Sequence, residues 1–280
     1  MSNPVWLITG CSSGLGHALA TTVLQRGHRV VLTARTTVPL YALAAAYPKT
    51  ALVAALDVTK ADQITSVVRE AEAHFGSIDV LVNNAGVGYL SAVEEGEDHG
   101  IRWMFETNFF GAAAMIRAVL PGMRSRKNGS IVNISSMVGF ANFAGMAYYG
   151  ASKFALGGLT EALWQEVEPL GIKVLLVEPG GFRTGIVQRN RMSPQIGDYA
   201  GTSGAFRTYV NNMKEEDFIG DPARAAEVIL KSVEGEKRAH RLVLGSDAYG
   251  AINAKLETLR TEYAASAGIA GSTDFSPSAG

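Results

Sequence analysis

Residues 8–20 read ITGCSSGLGHALA, and this stretch decides the fold. The segment before it, Val5–Thr9, is apolar and β-branched, and Gly14 onward has the spacing of a helix, with Leu15, Leu19 and Val23 recurring every four residues. Three glycines, Gly10, Gly14 and Gly16, stand between strand and helix. Glycine permits a tight turn and lets a ligand approach the backbone. The helix N-terminus beyond it offers free N–H groups and the positive end of a dipole to an anion, and a pyrophosphate fits that description. The spacing is G-x-x-x-G-x-G, and ligand-free glycine turns also occur, so the stretch needs company before it means a binding site.

Working outward, strand-like runs recur at Arg29–Ala34, Ala51–Leu56, Ile78–Val82, Ser130–Ser135, Lys173–Glu178 and Arg241–Leu244. Several are apolar throughout, as in parallel strands buried on both faces. Between them lie helical patterns: Ile64, Val67, Val68, Ala71 and Phe75 form a one-sided stripe. Alternation of this kind predicts βαβ units. The expected fold is α/β, a doubly wound parallel sheet of seven strands with helices on both faces. It forms a single domain over residues 1–264. Residues 185–217 form a long polar insertion with no clear strand, the place for a substrate loop or lid. The small-residue tail, 265–280, is expected to be flexible.

The 280 residues are 47 % hydrophobic and 18 % charged, enough apolar content for a sizeable core. The formal net charge of −1 gives no support for a nucleic-acid or anionic-membrane partner. Cys11 is the only cysteine, so no intrachain disulfide can form and a reducing compartment is the simplest reading. The first ten residues make a poor signal peptide, and no run is long enough to span a membrane. A soluble cytoplasmic protein is expected, and no metal.

The second strand ends in Arg35 and has no carboxylate there. An acidic residue at that place binds a ribose 2′-hydroxyl, whereas a basic one neutralises a 2′-phosphate. The charge therefore favours NADP over NAD; a merely solvated strand-end arginine is the alternative. Asp57, in LDVT after the third strand, could accept from an adenine amino group or cap the next helix, with Thr59 and Asp62 as rival caps; the cap is the simpler reading of these residues alone.

Further on, Tyr149 and Lys153 are four apart and share a helix face. A free tyrosine, pKa about 10, is a poor acid or base at neutral pH. A nearby ammonium stabilises its phenolate, and a phenol so lowered suits proton transfer to or from a substrate oxygen. A half-buried tyrosine beside a snorkelling lysine reads the same way, so the pair alone decides nothing. Tyr148 has Ser152 rather than a lysine one turn on and is read as packing or pocket wall. Ser135 and Ser136 close a strand, where open parallel sheets bind ligands, though they could simply start a turn.

Together these residues resemble the short-chain dehydrogenase/reductase family, in its form of about 250 residues with a Rossmann-like fold. The likeness runs from Val5 to about Leu244: T-G-x-x-x-G-x-G at Thr9–Gly16, N-N-A-G at Asn83–Gly86, the helix asparagine Asn108, Ser136, Y-x-x-x-K at Tyr149–Lys153, and Pro179–Gly180 with Thr184 closing PGGFRT. The resemblance implies roles. Gly10, Ser12, Ser13, Gly14, Leu15 and Gly16 would line pyrophosphate and adenosine ribose. Asp57 and Val58 would meet the adenine, displacing the cap reading. Asn84, Ala85 and Gly86 would pass under the riboses. Pro179, Gly180, Phe182 and Thr184 would hold the carboxamide end. Ser136 would bond the substrate oxygen and Tyr149 would pass it a proton. Lys153 would bind the nicotinamide ribose, and Asn108 would hold a water joining Lys153 to solvent. Arg35 resembles the basic residue of NADP-preferring members. Their second basic position is Ser13 here, which leaves NAD(H) open.

Phe140, Phe143, Met146, Phe182, Ile186, Met192, Tyr199 and Phe206 lie in the two segments expected to form the substrate pocket, which favours an apolar or aromatic ketone or alcohol. The helices beginning near Phe109 and Tyr149 are apolar on more than one side, so a homodimer or homotetramer is expected. An NADP(H)-dependent oxidoreductase leads. An NAD-dependent alcohol dehydrogenase, a non-catalytic nicotinamide sensor, and an isomerase using the cofactor transiently are the alternatives.

Overall fold

The first strand, β1 (Val5–Ile8, VWLI), is wholly buried and lies at the middle of a parallel sheet. Its neighbours are β2 (Arg29–Ala34) and β4 (Val80–Asn83): Leu7 faces Val31 on one side and Leu81 on the other. Outside these lie β3 (Ala51–Ala55), then β6 (Gly129–Ile134), β7 (Ile172–Pro179) and β9 (Arg241–Leu244), giving the order β3-β2-β1-β4-β6-β7-β9. The computed structural model describes residues 3–185, 189–235 and 239–275. All seven expected strands are present. Three end one residue earlier than expected, so Thr9, Leu56 and Ser135 sit in the loops beyond them.

Helices cover both faces. The helices α1 (Gly14–Gln25) and α8 (Pro222–Glu234) pack together over one, burying Leu15, Leu19, Val23, Ile229 and Leu230 against Trp6, Ile8 and Val30. On the other, α3 (Ala61–Phe75), α5 (Ala112–Arg126) and α6 (Ala147–Val167) bury Ile64, Val67, Met115, Val119 and Leu163 against Leu7, Val31 and Ile131. Each such side chain stabilises the fold by about 1.5–3 kcal/mol. The strand order reverses between β1 and β4, and in open α/β sheets that crevice, at the carboxyl ends of the strands, is where ligands bind.

One region departs from the sequence reading. Within the polar insertion, β8 (Arg191–Met192) pairs in parallel with β5 (Tyr89–Leu90), and a helix, α7 (Ala205–Asn212), follows. A strand of two residues has no periodicity to read. At the C-terminal end α9 (Ser246–Ala265) is followed by a helical turn, α10 (Ala267–Ala270). Ala264, Ala265, Ala267 and Ala270 favour helix there. Residues 276–280, the end of the tail, lie outside the described residues.

Candidate active site

A cleft of about 630 Å³ runs along the carboxyl ends of the strands. Its near wall is the glycine segment. Ser13 is the N-cap of α1 in extended conformation, and Gly14 starts the helix at φ +60°, where a Cβ would stand 2.9 Å from that of Thr184. Gly10, Ser12, Ser13, Gly14 and Leu15 line the cleft. Gly16 does not: a Cβ there would come within 2.2 Å of Asn84 Nδ2 and 2.5 Å of the Gly10 carbonyl, so this glycine serves backbone packing. The Asn84 amide donates to the carbonyls of Thr9 (2.9 Å) and Gly10 (3.0 Å), while Thr9 Oγ1 accepts from the N–H groups of Asn84 (3.0 Å) and Ala85 (2.9 Å). The T-G and N-N-A-G motifs thus form one hydrogen-bonded unit across two neighbouring strands.

Arg35, Asp57 and Val58 line one end of the cleft, with Asn84, Ala85, Gly86, Pro179, Gly180, Phe182 and Thr184 along it. Asp57 caps no helix. Its Oδ1 accepts from Thr59 N (3.0 Å) and Oγ1 (2.8 Å), a local turn, and α3 begins after Lys60 with no side-chain cap, so neither Thr59 nor Asp62 plays that part. Asp247, in the first turn of α9, was not singled out from sequence. Its Oδ2 accepts from Gly181 N at 2.7 Å and so holds the Pro179–Gly181 turn beside the cleft.

On the far wall Ser136, Tyr149 and Lys153 meet. The two serines separate: Ser135 Oγ is buried and donates to the Lys153 carbonyl (3.3 Å), whereas Ser136 lines the cleft beside Tyr149, its Oγ accepting from Val138 N (3.4 Å). Tyr148 turns away, its hydroxyl donating to the Val93 carbonyl (2.8 Å). Lys153, 4 % exposed, donates from Nζ to the Ile134 carbonyl (2.9 Å) and stands 5.8 Å from the Tyr149 ring centroid. The expectation of a phenol lowered by that ammonium is corrected. Burial pushes Tyr149 up to about 12, opposed only by the Ser136 hydrogen bond, and burial brings Lys153 down to about 8. Spacing reveals a neighbouring charge but not the loss of water around both groups.

Asn108 is tied to protein groups. It sits in a π-helical turn, Glu106–Gly111, between α4 (Asp98–Phe105) and α5, and is buried off the cleft. Its Oδ1 accepts from Val87 N (2.8 Å), and its Nδ2 donates to Val87 O (2.9 Å) and Ser152 Oγ (3.1 Å). The amide pins the chain after Gly86 to α6.

Of the apolar candidates, Phe143, Met146, Phe182 and Phe206 line the cleft; Phe140, Met192 and Tyr199 do not, and Ile186 lies outside the described residues. Leu90, Trp103, Val138, Tyr209 and Met213 join them. The polar insertion is anchored by Glu95, whose side chain has no exposure. It accepts from Ala92 N (2.8 Å) and Ile196 N (2.9 Å) and pairs with buried Arg207. Burial opposes ionisation, yet these donors outweigh it and hold the carboxyl below its ordinary value.

Comparison with known proteins places this arrangement. The family model described as short chain dehydrogenase matches residues 4–195. A short-chain dehydrogenase from Streptomyces avermitilis superposes with a TM-score of 0.91 at 42 % identity, covering 98 % of this chain and all of that one. The 3-ketodihydrosphingosine reductase of Bacteroides thetaiotaomicron is 35 % identical over 246 residues, 88 % of this chain and 89 % of its own. Solved relatives at 25 % and 26 % identity are, in that order, a 3-ketoacyl-(acyl-carrier-protein) reductase from Brucella melitensis complexed with NADH and a short chain dehydrogenase from Burkholderia cenocepacia in complex with NADP. Their TM-scores are 0.73 and 0.72, over 87 % and 94 % of this chain and 96 % and 97 % of theirs. The sheet architecture agrees with these matches: the chain belongs to the short-chain dehydrogenase family of oxidoreductases.

Proposed function

We propose that the protein is an NADP(H)-dependent oxidoreductase acting on a ketone or secondary alcohol with an apolar or aromatic body, with residues 1–264 as the catalytic unit. The observation that carries the reading is the meeting of Ser136, Tyr149 and Lys153 on the wall of the same cleft that the glycine segment lines. The residues fit a dinucleotide: an extended N-cap, a positive-φ Gly14 whose missing Cβ leaves the backbone bare, and helix N–H groups behind it suit a pyrophosphate. Gly10, Ser12, Ser13, Gly14 and Leu15 would hold that part, Asp57 and Val58 the adenine, Asn84 to Gly86 the riboses, and Pro179, Gly180, Phe182 and Thr184 the carboxamide end. Arg35 stands exposed at the cleft rim where a 2′-phosphate would be neutralised, which supports NADP over NAD.

The dinucleotide, when bound, supplies or takes the hydride. The Ser136 hydroxyl hydrogen-bonds the substrate oxygen. At a pKa of about 12 the Tyr149 phenol is protonated at neutral pH and is an acid in place for reduction, donating its proton to that oxygen. In oxidation the phenolate takes the proton from the alcohol, helped by the Ser136 hydrogen bond. With a pKa of about 8, Lys153 keeps most of its positive charge at pH 7 and is placed for ribose hydroxyls. Asn108 is a positioning residue, acting through Val87 and Ser152. Leu90, Trp103, Phe143, Met146 and Phe206 give the substrate end its apolar walls.

Among the described residues no helix is long and apolar enough to cross a membrane. We place the protein in the cytoplasm as a homodimer or homotetramer: Phe110 and Phe154 are 51 % and 45 % exposed and suit a covering second copy. Sedimentation as a monomer at micromolar concentration would contradict the assembly. The function is tested by absorbance at 340 nm, with NADPH and NADH against a panel of ketones and the reverse reaction on alcohols. NADPH consumption with bulky apolar ketones is expected. Saturation with NADH only would overturn the cofactor assignment, and no turnover with any pairing would overturn the reading.

A further inference from the structure

Arg189 enters the cleft from the polar insertion, 176 residues away from the group it meets. Its guanidinium donates to Thr184 O (Nη2, 2.7 Å), to Gly185 O (Nε, 3.1 Å) and, through Nη1, to Ser13 Oγ. All three acceptors are neutral. Among the described residues no carboxylate pairs with it, whereas Arg207 and Arg241, elsewhere in the fold, sit on Glu95 and Glu178. The cleft does hold carboxylates, but they are engaged elsewhere: Asp57 with Thr59, Asp217 with Lys214 N, and Asp247 with Gly181 N. Ser13 caps α1 with its backbone only, its hydroxyl being taken by Arg189. A guanidinium held by three neutral acceptors therefore stands at the positive end of a 12-residue helix. Two positive features brought together in this way are stabilised by an anion bound at both.

We infer that Arg189 is a positioning residue for the dinucleotide, its guanidinium leaving Ser13 Oγ to pair with the pyrophosphate at the N-terminus of α1. The inference rests on the reading of the cleft as a dinucleotide site. The planar fork of an arginine takes two phosphate oxygens at once, which a lysine does not. It stands between Ser13 and Thr184, where the glycine segment meets the turn after β7, while Arg35 follows the end of β2. The two cations consequently have different assignments: Arg189 serves any dinucleotide and Arg35 only one with a 2′-phosphate.

The test is binding, read by quenching of protein fluorescence, with Trp103 in the cleft wall as a reporter. Arg189→Gln, Arg189→Lys, Arg35→Gln and the unaltered protein are titrated with NADPH and NADH at two salt concentrations. Arg189→Gln is expected to weaken both dinucleotides by about tenfold and to flatten the salt dependence of binding, with Arg189→Lys in between. Arg35→Gln is expected to weaken NADPH alone. Affinities of Arg189→Gln within about twofold of the unaltered protein for both dinucleotides, or a loss confined to NADPH, would overturn the assignment. An unaltered protein that binds neither dinucleotide would overturn the proposed function itself, a result distinct from either of those. Thermal midpoints of the variants, measured without dinucleotide, are expected to fall by no more than a few degrees, since the three hydrogen bonds lost are solvent-exposed.

Discussion

Lys153→Met isolates what it costs the fold to keep an ammonium on the cleft wall. Lys153 is 4 % exposed and has one protein acceptor, the Ile134 carbonyl, and burial lowers it from 10.5 to about 8. At 1.36 kcal/mol per pKa unit, the charged lysine destabilises the folded state by about 3 kcal/mol below pH 8. The sign follows from proton binding. Between pH 8 and 10.5 the unfolded chain holds this proton more tightly than the folded one, so stability rises with pH across that window. By pH 9.5 about 2 kcal/mol is recovered. Methionine has nearly the same length and no titration. It also abandons the Ile134 carbonyl, but that loss does not vary with pH and cancels in the comparison. Urea unfolding of both proteins without dinucleotide, at pH 7, 8.5 and 9.5, is the assay. The stability of the unaltered protein relative to Lys153→Met is expected to grow by about 2 kcal/mol from the lowest pH to the highest, while the variant loses turnover at all three. Parallel pH profiles would refute the claim that Lys153 is held charged against its burial.

Two further perturbations probe the scaffold. Gly16→Ala puts a methyl group where Asn84 and the Gly10 carbonyl now lie and expels the Asn84 amide. Loss of its two hydrogen bonds costs about 1–3 kcal/mol, read as a drop of a few degrees in thermal midpoint together with weaker dinucleotide binding. Glu95→Gln leaves Arg207 buried without a counter-charge, at a cost of about 3–5 kcal/mol, and trypsin is expected to cut within residues 189–217 sooner. Because the folded state holds the Glu95 carboxyl below 4.5, its contribution is present above that pH and lost as acid protonates it, so the gap between the two proteins closes in acid.

The strands were legible because each carries its own signal: VWLI, VVLTA and VLLV are apolar runs of strand length between helical periods, and a parallel sheet buries them on both faces. The glycine segment, Tyr149 and Lys153 were legible because their chemistry is local, within one turn or one helix. Motif membership did not reveal which way a residue faces. Gly16 and Asn108 belong to the same motifs as residues that line the cleft, yet one packs against Asn84 and the other is consumed by Val87 and Ser152. The contacts that shape the substrate side were illegible for another reason. Glu95 meets Arg207 across 112 positions and Ser13 meets Arg189 across 176, and only the completed fold brings them together. The direction of the Tyr149 shift was missed because loss of water is a property of the whole cleft wall and leaves no mark on the spacing of a pair.

The central claim is that the Tyr149 phenol passes the proton to the substrate oxygen while other residues hold the dinucleotide. Tyr149→Phe removes the hydroxyl and little else. NADPH oxidation with the best ketone, measured beside NADPH affinity by fluorescence, should show turnover lost by at least about a thousandfold and affinity unchanged within about threefold. Turnover that survives the loss of that hydroxyl, with the dinucleotide still bound, would contradict the account.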